Sequence, residues 1–446
     1  MKATVELYGP PLQGNTKKQN TWRAVAEFEV RAESEIKKGY SGSGFLTYDV
    51  DYALAHMGRK GCEAVSCRYP VGMEMIQEPH WPAFLLDLLP SGANRRYWLV
   101  RLGLNPRKDD GPQADWTLLL NGASNPPGNL RIAEASHSAQ PPHPTHSGFT
   151  YKEVVDRAEH FIEYAQAHGA PIAGSTGAQG DAPKFLLSED AAGRWHADGA
   201  LPDELAVKHW LVKFPRGKDP LDLAVLKNEG AYYKVARALG LHVGEMPRFE
   251  KNVLFVPRFD RSPTQKSVTN TAGLDRLGLE SLASLAGIAD FGVRTFHEEL
   301  CAAIAKYVTD PAGDLMEYVL RDFANVLLGN TDNHSRNTSL LKYPDGRIAL
   351  SPLYDFAPMI LDPEGISRVC RWGTPGAEEG GLPNWSKVID IVAELGAEKT
   401  ALKARITQFT EKLEGLPSLL RKSGVDQDLI QRLQGRIEDA KKATRG

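Results

Sequence analysis

Residues 329–356 read G-N-T-D-N-H-S-R-N-T-S-L-L-K-Y-P-D-G-R-I-A-L-S-P-L-Y-D-F, and this stretch decides how the rest of the chain is interpreted. Asp332 and Asn337 stand five apart, and Asp355 follows eighteen later. That is the order of polar groups a phosphoryl-transfer site needs: one carboxylate to orient a hydroxyl, then an amide oxygen and a second carboxylate to hold Mg2+. Residues 338–341 and 347–350 read as two short strands joined by Pro344-Asp345-Gly346. A hairpin of this kind brings its ends together, so that Asn337 and Asp355 can share one cation. The plainer reading is an ordinary turn, since Asn and Asp hydrogen-bond their own backbone readily. The two readings part on whether the rest of a nucleotide site is present elsewhere.

Upstream, Met316, Val319, Leu320, Phe323, Ala324, Leu327 and Leu328 form the apolar stripe of a helix that would anchor the loop. Further back, Ala173-Gly-Ser-Thr-Gly-Ala-Gln-Gly-Asp-Ala-Pro-Lys carries glycines at 174, 177 and 180. Such a loop lets backbone N–H groups approach phosphate oxygens, although a hairpin turn has the same composition. It is not a Walker A loop, because no Gly-Lys-Ser/Thr opens a helix. His209-Trp-Leu-Val-Lys-Phe-Pro reads as an apolar strand with Lys213 in its middle, and the next helix carries Glu229 in its first turns. Strand lysine followed by helix glutamate is the order of the ion pair that positions ATP phosphates; a solvated lysine and a dipole-favoured glutamate fit equally well. Residues 252–260 read as a last strand, with the backbone at 257–259, including Phe259, placed where a hinge reads adenine.

The chain has 446 residues, a net charge of −3 and four cysteines. Two or three domains are expected. Near-neutral charge gives no electrostatic case for binding nucleic acid or a membrane surface. Cys62, Cys67, Cys301 and Cys370 lack C-x-x-C spacing and read as free thiols, and with no signal-like start and no apolar run of eighteen, a cytoplasmic protein is expected. Residues 1–133 read as an α+β subdomain, with strands near 4–7 and 22–30 and helices at 81–89 and 95–102. Residues 134–150 read as a linker whose His143 and His146 are solvated rather than metal-binding. Residues 151–260, opening with a helix at 151–168, form a nucleotide-binding lobe, and residues 261–446 a helical lobe. In that last lobe Arg368, Arg371 and Trp372 stand open as either a substrate contact or a helix flank.

The chain resembles the HipA family of serine/threonine kinases, the toxin halves of bacterial toxin–antitoxin pairs. The residues that carry the likeness are F-L-L-D-L-L-P from Phe84, S-T-G-A-Q from Ser175 with Lys184, W-L-V-K-F-P around Lys213, N-E-G-A-Y-Y with A-L-G-L-H-V, R-F-D-R from Arg258, L-L-G-N-T-D-N-H-S-R-N and L-S-P-L-Y-D-F. The resemblance implies an α+β, two-lobed protein-kinase-like fold with an N-terminal α+β subdomain, a β-rich ATP lobe and an all-helical C-terminal lobe. It implies ATP and Mg2+ as cofactors, Asp332 as the catalytic carboxylate, and Asn337 and Asp355 as metal ligands. Lys213 and His334 would contact the nucleotide, and Gly174, Ser175, Thr176, Gly177, Ala178 and Gln179 would cover its phosphates. It further implies a protein substrate, in the family's toxins part of the translation apparatus, and a separate helix-turn-helix antitoxin that binds DNA in its stead.

Three departures stand out. Gly174 occupies the place of the loop serine whose autophosphorylation silences family members, which leaves Ser175 or Thr176 as the candidates. Asp355-Phe-Ala replaces Asp-Phe-Gly, and Thr331 stands where protein kinases carry the arginine of His-Arg-Asp. The rival readings are a pseudokinase or nucleotide-binding regulator, a metal-dependent phosphoesterase or nuclease, and a DNA-binding regulator. All the polar groups of turnover are present, no further Asp/His ligand series follows Asp332-x-His334, and no basic recognition helix is visible.

Overall fold

Ala3, Val5 and Leu7 alternate with polar neighbours, the pattern of a strand with one buried face, and Lys2–Gly9 is that strand. The computed structural model describes residues 1–10, 20–138, 147–157, 159–167, 171–172, 183–263 and 274–443. The chain divides into two units, one of Met1–Lys213, Pro257–Phe291 and Leu340–Ile348, the other of Phe214–Val256, Gly292–Ser339 and Ala349–Gly446. Helices and sheets are mixed in the α+β manner expected. The glycine-rich loop with Ser175 and Thr176, and the pair His143 and His146, lie outside the described residues.

In the first unit an antiparallel sheet runs in the order Ile76–Glu78, Gly44–Tyr48, Thr21–Glu29, Lys2–Gly9, Leu130–Ile132. Its buried face packs on an aromatic cluster in which Trp81 meets Phe28 and Trp116 edge-on, at 5.6 and 5.7 Å between ring centres. The helix expected at 81–89 covers only Phe84–Leu88, because Leu89 turns extended ahead of Pro90. The helix expected at 151–168 is two, Tyr151–Val155 and Glu159–Ala167, broken where Arg157 takes a φ of 50°. A second antiparallel ladder joins Lys184–Asp190 to Ala206–Lys213, with Trp195–Ala197 on its other side. All four cysteines are free.

The second unit is built mainly of helices: Pro220–Leu239, His297–Tyr307, Pro311–Leu328, Trp385–Glu394, Lys399–Glu411, Leu416–Ser423 and Gln427–Ala443. Within it Arg248–Glu250 turns back on Val253–Pro257 through Lys251 and Asn252, both left-handed, as a two-residue hairpin demands. Thr295–Phe296 and Cys370–Arg371 pair in parallel. Among the described residues no helix is long and apolar enough to cross a membrane.

The strand expected over 252–260 stops at Pro257, and the residues after it enter an ion cluster. Arg258 reaches Asp198 at 2.5 Å and Asp260 at 2.6 Å, while Arg261 reaches Asp260 at 2.7 Å. The N–H of Gly128 donates to Asp260 and the Ser188 hydroxyl to Asp198. Burial alone would raise both carboxyls, but Arg258 and Arg261 beside them, with the hydrogen bonds they accept, hold both below the usual carboxylate range. A carboxylate depressed on folding adds stability that is present above its unfolded pKa, about 4, and is lost as pH falls through its folded value. Asp260→Ala strands the buried arginines, and we expect a loss of about 3–5 kcal/mol. Thermal melts read this as a large drop in Tm at pH 7 that shrinks toward pH 3, whereas exposed Lys208→Ala leaves Tm unchanged.

Candidate functional site

The helix ahead of the central stretch starts at Asp310, whose side chain accepts the N–H of Gly313, with Pro311 in the first turn. Of its expected stripe Val319, Leu320, Phe323, Ala324, Leu327 and Leu328 are buried, whereas Met316 is half-buried and Leu315 takes the core position beside it. It ends at Gly329, left-handed at φ 67°, where an added Cβ would lie 2.7 Å from Ile360. Glycine is required there twice over, for its conformation and for that approach. The Gly329 carbonyl accepts the N–H of Ile360, and the Leu328 carbonyl accepts the Tyr232 hydroxyl at 2.8 Å.

Residues 330–338 form no helix or strand, and side chains hold them in shape. The Asn337 amide donates to the Asp332 carbonyl at 2.8 Å, and its backbone N–H donates to the His334 carbonyl at 2.9 Å. The hairpin is Ser339–Lys342 with Ile348–Leu350, one residue later than expected, because the N–H of Tyr343 still reaches the Arg347 carbonyl. At its base the Ser351 N–H donates to the Ser339 carbonyl, and the Tyr354 hydroxyl donates to the Arg336 carbonyl. The two ends therefore meet as the spacing implies.

Asp332, His334, Asn337 and Asp355 line one cleft of about 450 Å3, counting its open mouth. His334 Nε2 stands 3.6 Å from Asp332 Oδ1. Because the Asn337 nitrogen is committed to Asp332, its Oδ1 is left as an acceptor, buried and with no hydrogen-bond partner among the described residues. Asp355 adopts φ 50°, a left-handed conformation uncommon outside glycine and a sign of a functional constraint. An orphaned amide oxygen and a nearby carboxylate are oxygen donors of the kind a hard dication takes, with its remaining positions left to phosphates and water. The residues present thus fit Mg2+.

The same cleft reaches Asp322 and His297, which sequence reasoning missed. Asp322, buried in the middle of Pro311–Leu328, accepts from Trp372 Nε1 and from Arg368 at 2.9 Å each, with His297 Nε2 3.3 Å away. Burial alone would raise it, but His297 and Arg368 beside it hold it well below the usual carboxylate range. Arg368 also pairs with Glu378 at 3.1 Å. Of Arg368, Arg371 and Trp372, left open as a substrate contact or a helix flank, Arg371 lies in a short strand and Arg368 and Trp372 are bonded to Asp322. The signal that could have found Asp322 is an acid in the middle of an otherwise apolar helix face, which must have a partner.

The remaining expectations fall outside the cleft. Lys213 is the last residue of its strand rather than the middle, since Phe214 leads to Pro215, which has no N–H to continue a ladder. It is buried, and the register sets it directly opposite Lys184, also buried. Two like charges on one face of a ladder call for negative charge nearby. Lys213 and Phe259 belong to the first unit. Glu229 lies in the second, buried at mid-helix rather than in the first turns, because Asp219 and Pro220 start the helix a long way ahead of it. Gly174, Ser175, Thr176, Gly177, Ala178 and Gln179 lie outside the described residues.

The model of the HipA-like C-terminal domain matches residues 176–415, more than half of the chain. The chain belongs to the HipA-like family. A Sinorhizobium fredii protein named "Putative kinase Y4dM" is 24% identical over 349 residues, 74% of this chain and 72% of its own. A second from the same organism, "Putative kinase Y4mE", is 26% identical over 284 residues, 55% of this chain and 63% of its own. A solved chain from the Shewanella oneidensis MR-1 toxin–antitoxin complex of HipA, HipB and operator DNA superposes with a TM-score of 0.60 at 15% identity, covering 95% of each chain. That likeness establishes the HipA fold.

The backbone at Asp355 yields a prediction free of metal binding. Both Asp355→Ala and Asp355→Gly remove the carboxylate, but only glycine takes a positive φ without strain. We expect the glycine variant to be the more stable by about 1 kcal/mol, read as the higher Tm in paired thermal melts.

Proposed function

We propose that this HipA-like protein is an ATP- and Mg2+-dependent protein kinase that phosphorylates a serine or threonine of another protein. The observation that carries this is the meeting of Asp332, Asn337 and Asp355 in one cleft, with the Asn337 oxygen orphaned and Asp355 strained. Mg2+, when bound, would neutralise charge on the transferring phosphoryl group. Asp332 would accept the proton of the substrate hydroxyl, and Asn337 Oδ1 and the Asp355 carboxylate would hold the cation. His334 would contact the nucleotide, and Lys213 its α- and β-phosphates, with Glu229 as the acid paired to that lysine and Phe259 at the adenine hinge.

By family analogy the protein would act as a toxin on a translation-related target, be restrained by a separate antitoxin, and modify Ser175 or Thr176 of its own loop. A phosphoesterase reading finds less support. Among the described residues no group of three or more His, Cys, Asp or Glu stands together as a metal site.

The test is to incubate the full chain with ATP and Mg2+ and follow phosphate transfer by intact mass spectrometry and peptide mapping. Asp332→Ala should lower transfer by about 10^2–10^4-fold, and chelating the metal should stop it. Transfer that survives unchanged in Asp332→Ala would sink the assignment.

A further inference from the structure

Asp332 sits on irregular backbone, and a catalytic carboxylate must be held to within about 0.5 Å to work. One side of its peptide is tied by the Asn337 amide. That tied carbonyl belongs to the peptide that leads directly to Asn333, to which the sequence motif gives no role. Asn333 is buried, and its side chain grips the backbone of a distant strand. Its Oδ1 accepts the N–H of Val369 at 3.1 Å and that of Cys370 at 3.3 Å, and its Nδ2 donates to the Cys370 carbonyl at 2.9 Å. Both the oxygen and the nitrogen of the side-chain amide are thus engaged with main chain.

The strand it grips is itself immobilised. Arg368 just before it and Trp372 just after it are both bonded to the buried Asp322. The Trp372 N–H donates to Glu378, and the N–H groups of Gly373 and Thr374 donate to Glu298 at 2.8–3.0 Å. Cys370–Arg371 pairs with Thr295–Phe296 on one side. Asn333 therefore ties the residue next to Asp332 to firmly held backbone.

Resting on the kinase reading above, we propose that Asn333 is a positioning residue for phosphoryl transfer: its clamp on Val369 and Cys370 sets the orientation of the Asp332 carboxylate. It forms part of the cleft wall, but its side-chain amide is engaged with the main chain of Val369 and Cys370. Its loss therefore acts on turnover rather than on nucleotide affinity, because misplacing a reacting group by about 1 Å costs on the order of 10^2-fold in rate.

The experiment uses the full chain with Mg2+ and ATP, reading ADP release and phosphate incorporation for turnover, calorimetric affinity for a non-hydrolysable ATP analogue, and Tm. Asn333→Ala should lower kcat about 10–100-fold while the analogue Kd stays within about two-fold. Val369→Pro, which removes one of the N–H groups that Asn333 accepts, should lower kcat in the same way, and the double variant should be no slower than the worse single. Turnover unchanged in Asn333→Ala, or analogue affinity and Tm falling in step with turnover, would overturn the proposal and leave the kinase reading standing. A wild type that releases no ADP would overturn the kinase reading and this inference with it.

Discussion

Asp322 is a carboxylate removed from water in the middle of an apolar helix, and that single constraint organises the functional unit. An uncompensated charge there costs several kcal/mol, so the fold must bring it partners. It brings the Arg368 guanidinium, the Trp372 indole N–H and His297, and these draw the segment around Cys370–Arg371 onto the helix. Glu378 takes a second contact from Arg368, so the segment is held beyond Trp372 as well. The helix anchors the loop by its buried stripe and by this one charge together.

From that anchor the loop inherits its shape. Irregular backbone cannot satisfy its own polar groups in a ladder, so each buried N–H and carbonyl needs a partner from elsewhere. Here the partners are mixed: the Asn337 amide for the Asp332 carbonyl, the His334 ring for the Arg336 N–H and the Tyr354 hydroxyl for the Arg336 carbonyl. Asn333 and Asn337 work in opposite senses. The first spends its whole amide on main chain, whereas the second spends its nitrogen and leaves its oxygen buried without a partner among the described residues. Asp355 completes the arrangement at the cost of a left-handed backbone that a glycine would adopt freely.

Much of this is legible in the residues alone. The Asp332, Asn337 and Asp355 spacing maps onto a hairpin, and a hairpin's ends must meet whatever surrounds it; the one-residue shift of its strands does not disturb that. Where the structure departs from expectation, local signals are present but easily outweighed. Asp219-Pro220 marks the helix start that puts Glu229 at mid-helix, and Pro215 marks the strand end that makes Lys213 terminal. The R-F-D-R segment reads as strand by its apolar lead-in. Its charges instead find Asp198, sixty residues earlier, through a contact no local pattern encodes.

By itself the sequence determined the class of fold, the family, and the bringing together of Asp332, Asn337 and Asp355, because these follow from periodicity, turn chemistry and spacing along one chain. Only the tertiary structure decided which polar side chains are free to act and which are consumed in holding the site. Arg368 and Trp372 look available in the sequence, and Asn333 looks like part of a turn. Their roles depend on a buried carboxylate and a strand some thirty-five to fifty residues away. Burial sets the cost of leaving a polar group unpaired, and burial is a property of the packed chain rather than of any stretch within it.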